Sequence, residues 1–150
     1  MTVALQENYK FPWLTFPQFK PATGRNEEAD KSFDLFAFHP HASSGYARHV
    51  IEIKIHRDDF TKEVRDPTKR RLGLRWATQF YFAVPELLLR PEEVPPECGL
   101  IEVRKNSKGI YECNTRIKAP ELAGTLPTWS FIGAFLRRYE REHNNSAEEI

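Results

Sequence analysis

The sequence predicts an α/β fold, and three patterns carry that prediction. Two apolar runs, FDLFAF and HVIEIKI, joined by the turn-like HPHASSGYAR, read as a β-hairpin. A charged, helix-compatible stretch, RDDFTKEVRDPTKRRLGLRWATQ, then leads into QFYFAVP, a short aromatic and β-branched run closed by proline that suits a buried strand. CGLIEVR and GIYECNTR flank the turn signal KNSKG as a further hairpin, with a helical pattern after them. At 150 residues the chain fits one domain with one core, burying on the order of 70% of its extended surface.

Residues 1–31 are expected to form an extended arm and a polar loop. Pro12, Pro17 and Pro21 prevent a long helix there, and Phe11, Trp13, Leu14, Phe16 and Phe19 need a surface to cover, either this chain's core or another subunit. TGRNEEADKS leads into the first strand, and the core is expected over 32–141. Within it the helical stretch divides at Asp66-Pro67, with Asp66 as N-cap and Pro67 at the first helical position. Leu72, Trp76 and Phe80 give an apolar stripe, while Lys69, Arg70, Arg71 and Arg75 concentrate positive charge. Residues 86–97 are a Pro- and Glu-rich loop. A last helix starts at Pro127 or Thr128, with Trp129, Ile132, Phe135 and Leu136 facing inward, and 142–150 is a frayed tail.

Charge and composition narrow the function classes. The formal charge is +1, so attraction to nucleic acid has to come from a local basic patch. No apolar stretch reaches spanning length and MTVALQENYK lacks a signal peptide's pattern, so a soluble, cytoplasmic protein without a membrane partner is expected. Cys98 and Cys113 are too few for a zinc ribbon and are expected to be reduced. His39, His41, His49 and His56 crowd the first hairpin and read as turn or surface residues, with His49 on the face opposite Glu52.

The hairpin also carries chemistry. Side chains at i and i+2 of a strand share a face, so a hairpin centred near Ser43 sets Phe36 opposite Val50 and Asp34 opposite Glu52, with Lys54 on the side of Glu52. Opposed carboxylates repel unless a cation sits between them. A Glu-x-Lys triplet alone is expected by chance in so charged a chain and usually lies on a solvated face. Here, however, the first strand is apolar on both faces, so Asp34 enters buried surroundings. Mg²⁺ or Mn²⁺ would suit Asp34 and Glu52, with the Ile53 carbonyl between them, and would activate water for attack on a phosphate. Lys54 is placed to orient that water or to stabilise charge on the phosphate.

In this order, FDLFAF, IEIKIHRDDF, DPTKRRLGLRWATQFYFAVP, PPECGLIEVR and a helix after KAPEL resemble the PD-(D/E)XK nuclease superfamily over residues 32–138. The likeness is greatest to small phage and bacterial members related to the MmcB-like DNA-repair branch. The resemblance implies a restriction-endonuclease-like mixed central sheet flanked by helices. It also implies Asp34 and Glu52 as metal ligands, Lys54 as the catalytic lysine, and Arg57 with Asp59 in support. DNA would be held by Arg57, Lys69, Arg70, Arg71 and Arg75. Members usually begin with a core helix bearing an extra acid; here the helix is expected to be missing or replaced by the arm, with Glu27 or Glu28 as stand-in acid. The implied activity is metal-dependent hydrolysis of DNA, with RNA as an alternative substrate, in phage or bacterial DNA repair, recombination or processing. The competing readings are a non-catalytic nucleic-acid-binding module and a subunit active only in a larger assembly. The arm suggests a homodimer.

Overall fold

The computed structural model describes residues 1–22 and 30–148. Along the chain run α1 (Thr2–Asn8), β1 (Leu14–Phe19), β2 (Phe33–Phe38), β3 (Arg48–Ile53), α2 (Arg57–Arg65), α3 (Thr68–Trp76), β4 (Gln79–Pro85), β5 (Gly99–Lys105), β6 (Tyr111–Ile117) and α4 (Trp129–Glu148). The strands form one mixed sheet in the order β1-β2-β3-β4-β5-β6. β1, β2 and β3 are antiparallel, β3, β4 and β5 are parallel, and β6 returns antiparallel to β5. Parallel neighbours need a crossover, and α2 with α3 supplies the one between β3 and β4. The α/β expectation holds at this level, and the hairpin register is the one strand parity predicts: Phe36 opposes Val50 and Leu35 opposes Ile51.

The N-terminal segment is not an extended arm. Its prolines begin only at Pro12, which leaves room for the seven-residue helix α1 ahead of them. Residues 14–19 then join the sheet as an edge strand, where Pro17 is tolerated because the edge has a free side. Phe16 and Phe19 are buried in the chain's own core, in ring contact with Phe135 of α4, while Phe11 stays 96% exposed. The candidate acids Glu27 and Glu28 lie outside the described residues.

Alternation along the strands sorts two apolar layers. Phe36, Val50, Phe80, Phe82, Val84 and Leu100 pack beneath the helices through Phe60, Leu72, Trp76 and Phe131. Leu35, Ala37, Ile51, Tyr81, Ala83, Ile101 and Val103 pack on the other side with Ala4 and Leu5 of α1. β4 is buried on both faces, as its unbroken apolar run requires. Gly73 draws α3 against the sheet: a Cβ there would sit 2.5 Å from Phe80 Cε2 and 3.2 Å from Val50 Cγ1. One turn earlier, that approach places Lys69 over the end of β3.

Other expectations shift. The α2–α3 break falls at Asp66-Pro67 as predicted, but the helix starts at Thr68; Asp66 Oδ1 accepts from the Thr68 N–H at 3.3 Å and hydroxyl at 2.6 Å. In α4 the inward stripe is Phe131, Ala134 and Phe135, whereas Trp129 is 86% and Leu136 60% exposed. A helix opening at Trp129 turns 131, 134 and 135 inward, and Trp129 projects past its start. The segment from 142, expected to fray, continues helical through Glu148.

Candidate functional site

The N-terminal end of β2 and the C-terminal end of β3 lie side by side, because the strands are antiparallel. Continuing their register sets Asp34 level with Glu52, on the face of Phe36 and Val50 and beneath α2 and α3. Lys54 follows β3 by one residue. Its N–H donates to the Ala83 carbonyl at 3.0 Å, which holds the strand path long enough to keep Lys54 on the side of Glu52.

Asp34 and Lys54, with Gln18, Glu63 and Lys69, line a cleft of about 670 Å³, and the buried Glu52 meets it through its contacts with Lys54 and Lys69. Glu52 is 1% exposed, and its Oε2 lies 2.8 Å from Lys69 Nζ and 3.9 Å from Lys54 Nζ. Lys54 is held more closely by Glu63 Oε2, at 2.5 Å. Asp34 Oδ2 accepts the Ile53 N–H at 2.8 Å, and Oδ1 faces the Gln18 amide at 3.4 Å. Oε1 of both Glu52 and Glu63 is buried without a partner.

Burial, reinforced by the charge of Asp34, pushes the Glu52 carboxyl up to about 8, and Lys69 only partly opposes this. For Lys69 burial pulls downward, but the charge and hydrogen bond of Glu52 outweigh it and hold the ammonium above its ordinary value. Three acidic groups, two of them with an orphaned oxygen, and two ammonium groups thus meet in one place.

Among the described residues, no three His, Cys, Asp or Glu side chains converge as a metal-binding group. The donor set still fits a hard divalent cation of the magnesium type, which is commonly held by one or two carboxylates together with waters and substrate phosphates. Asp34 and Glu52 are the carboxylates that would serve, and Glu52 Oε1 is buried without a hydrogen-bond partner. Ile53 stands between them, with its N–H on Asp34.

The expected basic surface divides. Lys69 points into the cleft. Arg70 is 7% exposed and turned inward, with Nε on Glu97 at 3.2 Å and Nη1 on the Glu63 carbonyl at 3.2 Å. It is therefore no surface for phosphate but ties α2 and α3 to the loop after β4, because it shares a helix face with Gly73, three residues on. Arg57 pairs with Glu93 and donates to the Leu88 carbonyl at 2.9 Å. Arg71 and Arg75 are exposed, the latter with its guanidinium 4.8 Å from the Trp76 ring centre.

Glu63 and Gln18 are among the members of the cleft that were not foreseen. Glu63 follows the buried Phe60 by three residues on α2, a spacing that turns both toward the sheet and was readable once that helix was assigned. Gln18 has φ 51 and is skipped between the pairs Pro17–Leu35 and Phe19–Phe33, an irregularity with no sequence signal. His49 does lie on the opposite face, packed among Tyr9, Trp13 and Tyr81, with Nδ1 2.8 Å from the Tyr9 hydroxyl; burial lowers it to about 4. Cys98 and Cys113 are free thiols.

No protein-family model and no curated protein matches the chain. A solved structure of a protein of unknown function from Silicibacter pomeroyi is similar over 97% of this chain and 88% of its own, at 22% sequence identity and a TM-score of 0.61. That likeness shows a shared α/β fold.

Proposed function

We propose that the cleft hydrolyses phosphodiester bonds of DNA with a bound Mg²⁺ or Mn²⁺, on a restriction-endonuclease-like fold. The carrying observation is that Asp34 and Lys54, picked out by strand spacing, line one cleft at one end of the sheet, with the buried Glu52 carboxyl 3.9 Å from Lys54 Nζ. The element order supports the same reading: a helix, a three-stranded antiparallel unit, a helical crossover and a parallel strand. α1 stands where the superfamily's first helix is expected, and Thr2 on it borders the cleft.

Asp34 and Glu52 would hold the cation, which when bound supplies Lewis acidity toward the phosphate and a more acidic water. Asp34 is fixed for this by the Ile53 N–H. Lys54, braced by Glu63, keeps an ammonium beside Glu52, where it can neutralise charge that grows on the phosphate in the transition state. Lys69 brings a second ammonium to the same place. Arg71 and Arg75 extend positive charge along the exposed side of α3, suited to the neighbouring phosphate backbone.

A second reading is a nucleic-acid-binding module without turnover. It is favoured by the ion pairs themselves, since Lys54 and Lys69 already compensate Glu63 and Glu52. A panel of labelled single-stranded, double-stranded, flapped and branched DNA and RNA, incubated with Mg²⁺ or Mn²⁺, separates the two. Metal-dependent products lost in Glu52→Ala support the enzyme; binding without products supports the module.

A further inference from the structure

A second cavity lies on the same face of the sheet, at the opposite end of β2 and β3. Phe38 and Arg48 form its floor, and Trp76, residues 123–127, and Phe135 and Leu136 of α4 enclose about 620 Å³. Arg48 and Glu52 are four residues apart on one strand, which separates the two sites by roughly 13 Å. The volume falls in the range of sites for small molecules.

Beside Tyr46 and Thr125, two polar groups of the otherwise apolar lining stand out, those of Trp76 and Arg48. Trp76 is 3% exposed, yet its Nε1–H has no acceptor. A buried donor left unmade is costly, so the position calls for an acceptor. Arg48 donates Nε–H to the Trp76 carbonyl at 2.9 Å and Nη1–H to the Tyr46 carbonyl at 2.8 Å, which fixes the guanidinium at the floor. Among the described residues no carboxylate forms an ion pair with it. A fixed, uncompensated cation and an orphaned donor in apolar surroundings are complementary to an oxyanion carried on an apolar body.

We propose that this cavity binds a small amphipathic carboxylate, an aliphatic or aromatic acid of roughly ten to twenty non-hydrogen atoms. The carboxylate meets the Arg48 guanidinium and the Trp76 N–H, and the apolar body lies between α4 and residues 123–127. A neutral apolar molecule would leave both polar groups uncompensated, and inorganic phosphate would gain nothing from the rings.

The test titrates the full chain with decanoate and, in parallel, with decanol, each below its aggregation limit, by calorimetry and tryptophan fluorescence. One saturable site is expected, with decanoate tighter than decanol by about tenfold or more, since a hydrogen-bonded charge pair contributes on that order. Trp76→Phe keeps the ring that stacks on Phe131 and should weaken decanoate several-fold, with decanol unchanged. Leu136→Glu, at an exposed position of the rim, should repel decanoate alone. Equal affinity for the acid and the alcohol, or variants that bind decanoate like the parent, would overturn the proposal. So would a dimer that closes the cavity and takes up neither ligand, because the occupant would then be a second copy of the chain.

Discussion

Glu52 owes its chemistry to parity. An even position on β3 turns it under α2 and α3, out of water, while its odd neighbours Ile51 and Ile53 face α1. The same count made Asp34, Glu52 and Lys54 legible in the sequence, because two-residue periodicity needs no knowledge of the rest of the fold. Arg70 and Lys69 show the limit of such counting. Charge pattern put both on a phosphate-binding basic surface, yet one turns into the helix contact and the other into the cleft, and only the placement of α3 decides which. His49 supports a prediction at this scale. Its folded pKa, lowered by burial to about 4, lies below the usual 6.5, so between those values the unfolded chain binds the extra proton. Stability from this residue is complete above pH 6.5 and falls as pH drops toward 4. In denaturant titrations, His49→Phe should lose less stability than the parent between pH 6.5 and 4; equal losses would contradict the assignment.

Among the elements, α1 and β1 departed furthest from expectation. Three prolines argued against helix, correctly for residues 12–21, but said nothing about residues 2–8, and β1 lacks a clean alternation because Pro17 and Gln18 interrupt it. Phe16 and Phe19 still needed cover, and they found it in α4 of their own chain. Deleting residues 1–19 should therefore uncover Phe36 and Phe131 and lower the melting temperature sharply; an unchanged melt would show that β1 adds little. The approach of α3 to the sheet makes a second prediction. Ala is the better helix former at position 73 by about 1 kcal/mol, but overpacking a full core costs about 1–3 kcal/mol, so Gly73→Ala should be destabilising on balance. The neighbour it meets, Phe80, is fully buried and has little room to move. Chemical denaturation measures the sign directly, and a gain in stability would show that the core yields there.

For the whole molecule, a formal charge of +1 means that no overall field draws the chain to DNA. DNA bound as proposed would be held by a few local contacts, Lys69, Arg71 and Arg75 among them, so the logarithm of the binding constant should fall with the logarithm of salt with a slope of only about −3. Arg71→Ala should reduce that slope by about one; a slope that ignores the substitution would place the DNA elsewhere. Hydrolysis with a divalent cation is the activity proposed for the cleft and its Asp34, Glu52 and Lys54. Single-turnover cleavage of end-labelled DNA in saturating Mn²⁺, with parent and Lys54→Ala compared alongside their Mn²⁺ affinities, tests it most directly. Mn²⁺-dependent cleavage by the parent is expected, with a fall of about a hundredfold or more in Lys54→Ala and Mn²⁺ affinity retained, since the proposed role of the lysine is in the transition state. Cleavage that survives in the variant, or a parent that binds DNA and Mn²⁺ without cutting, would contradict it.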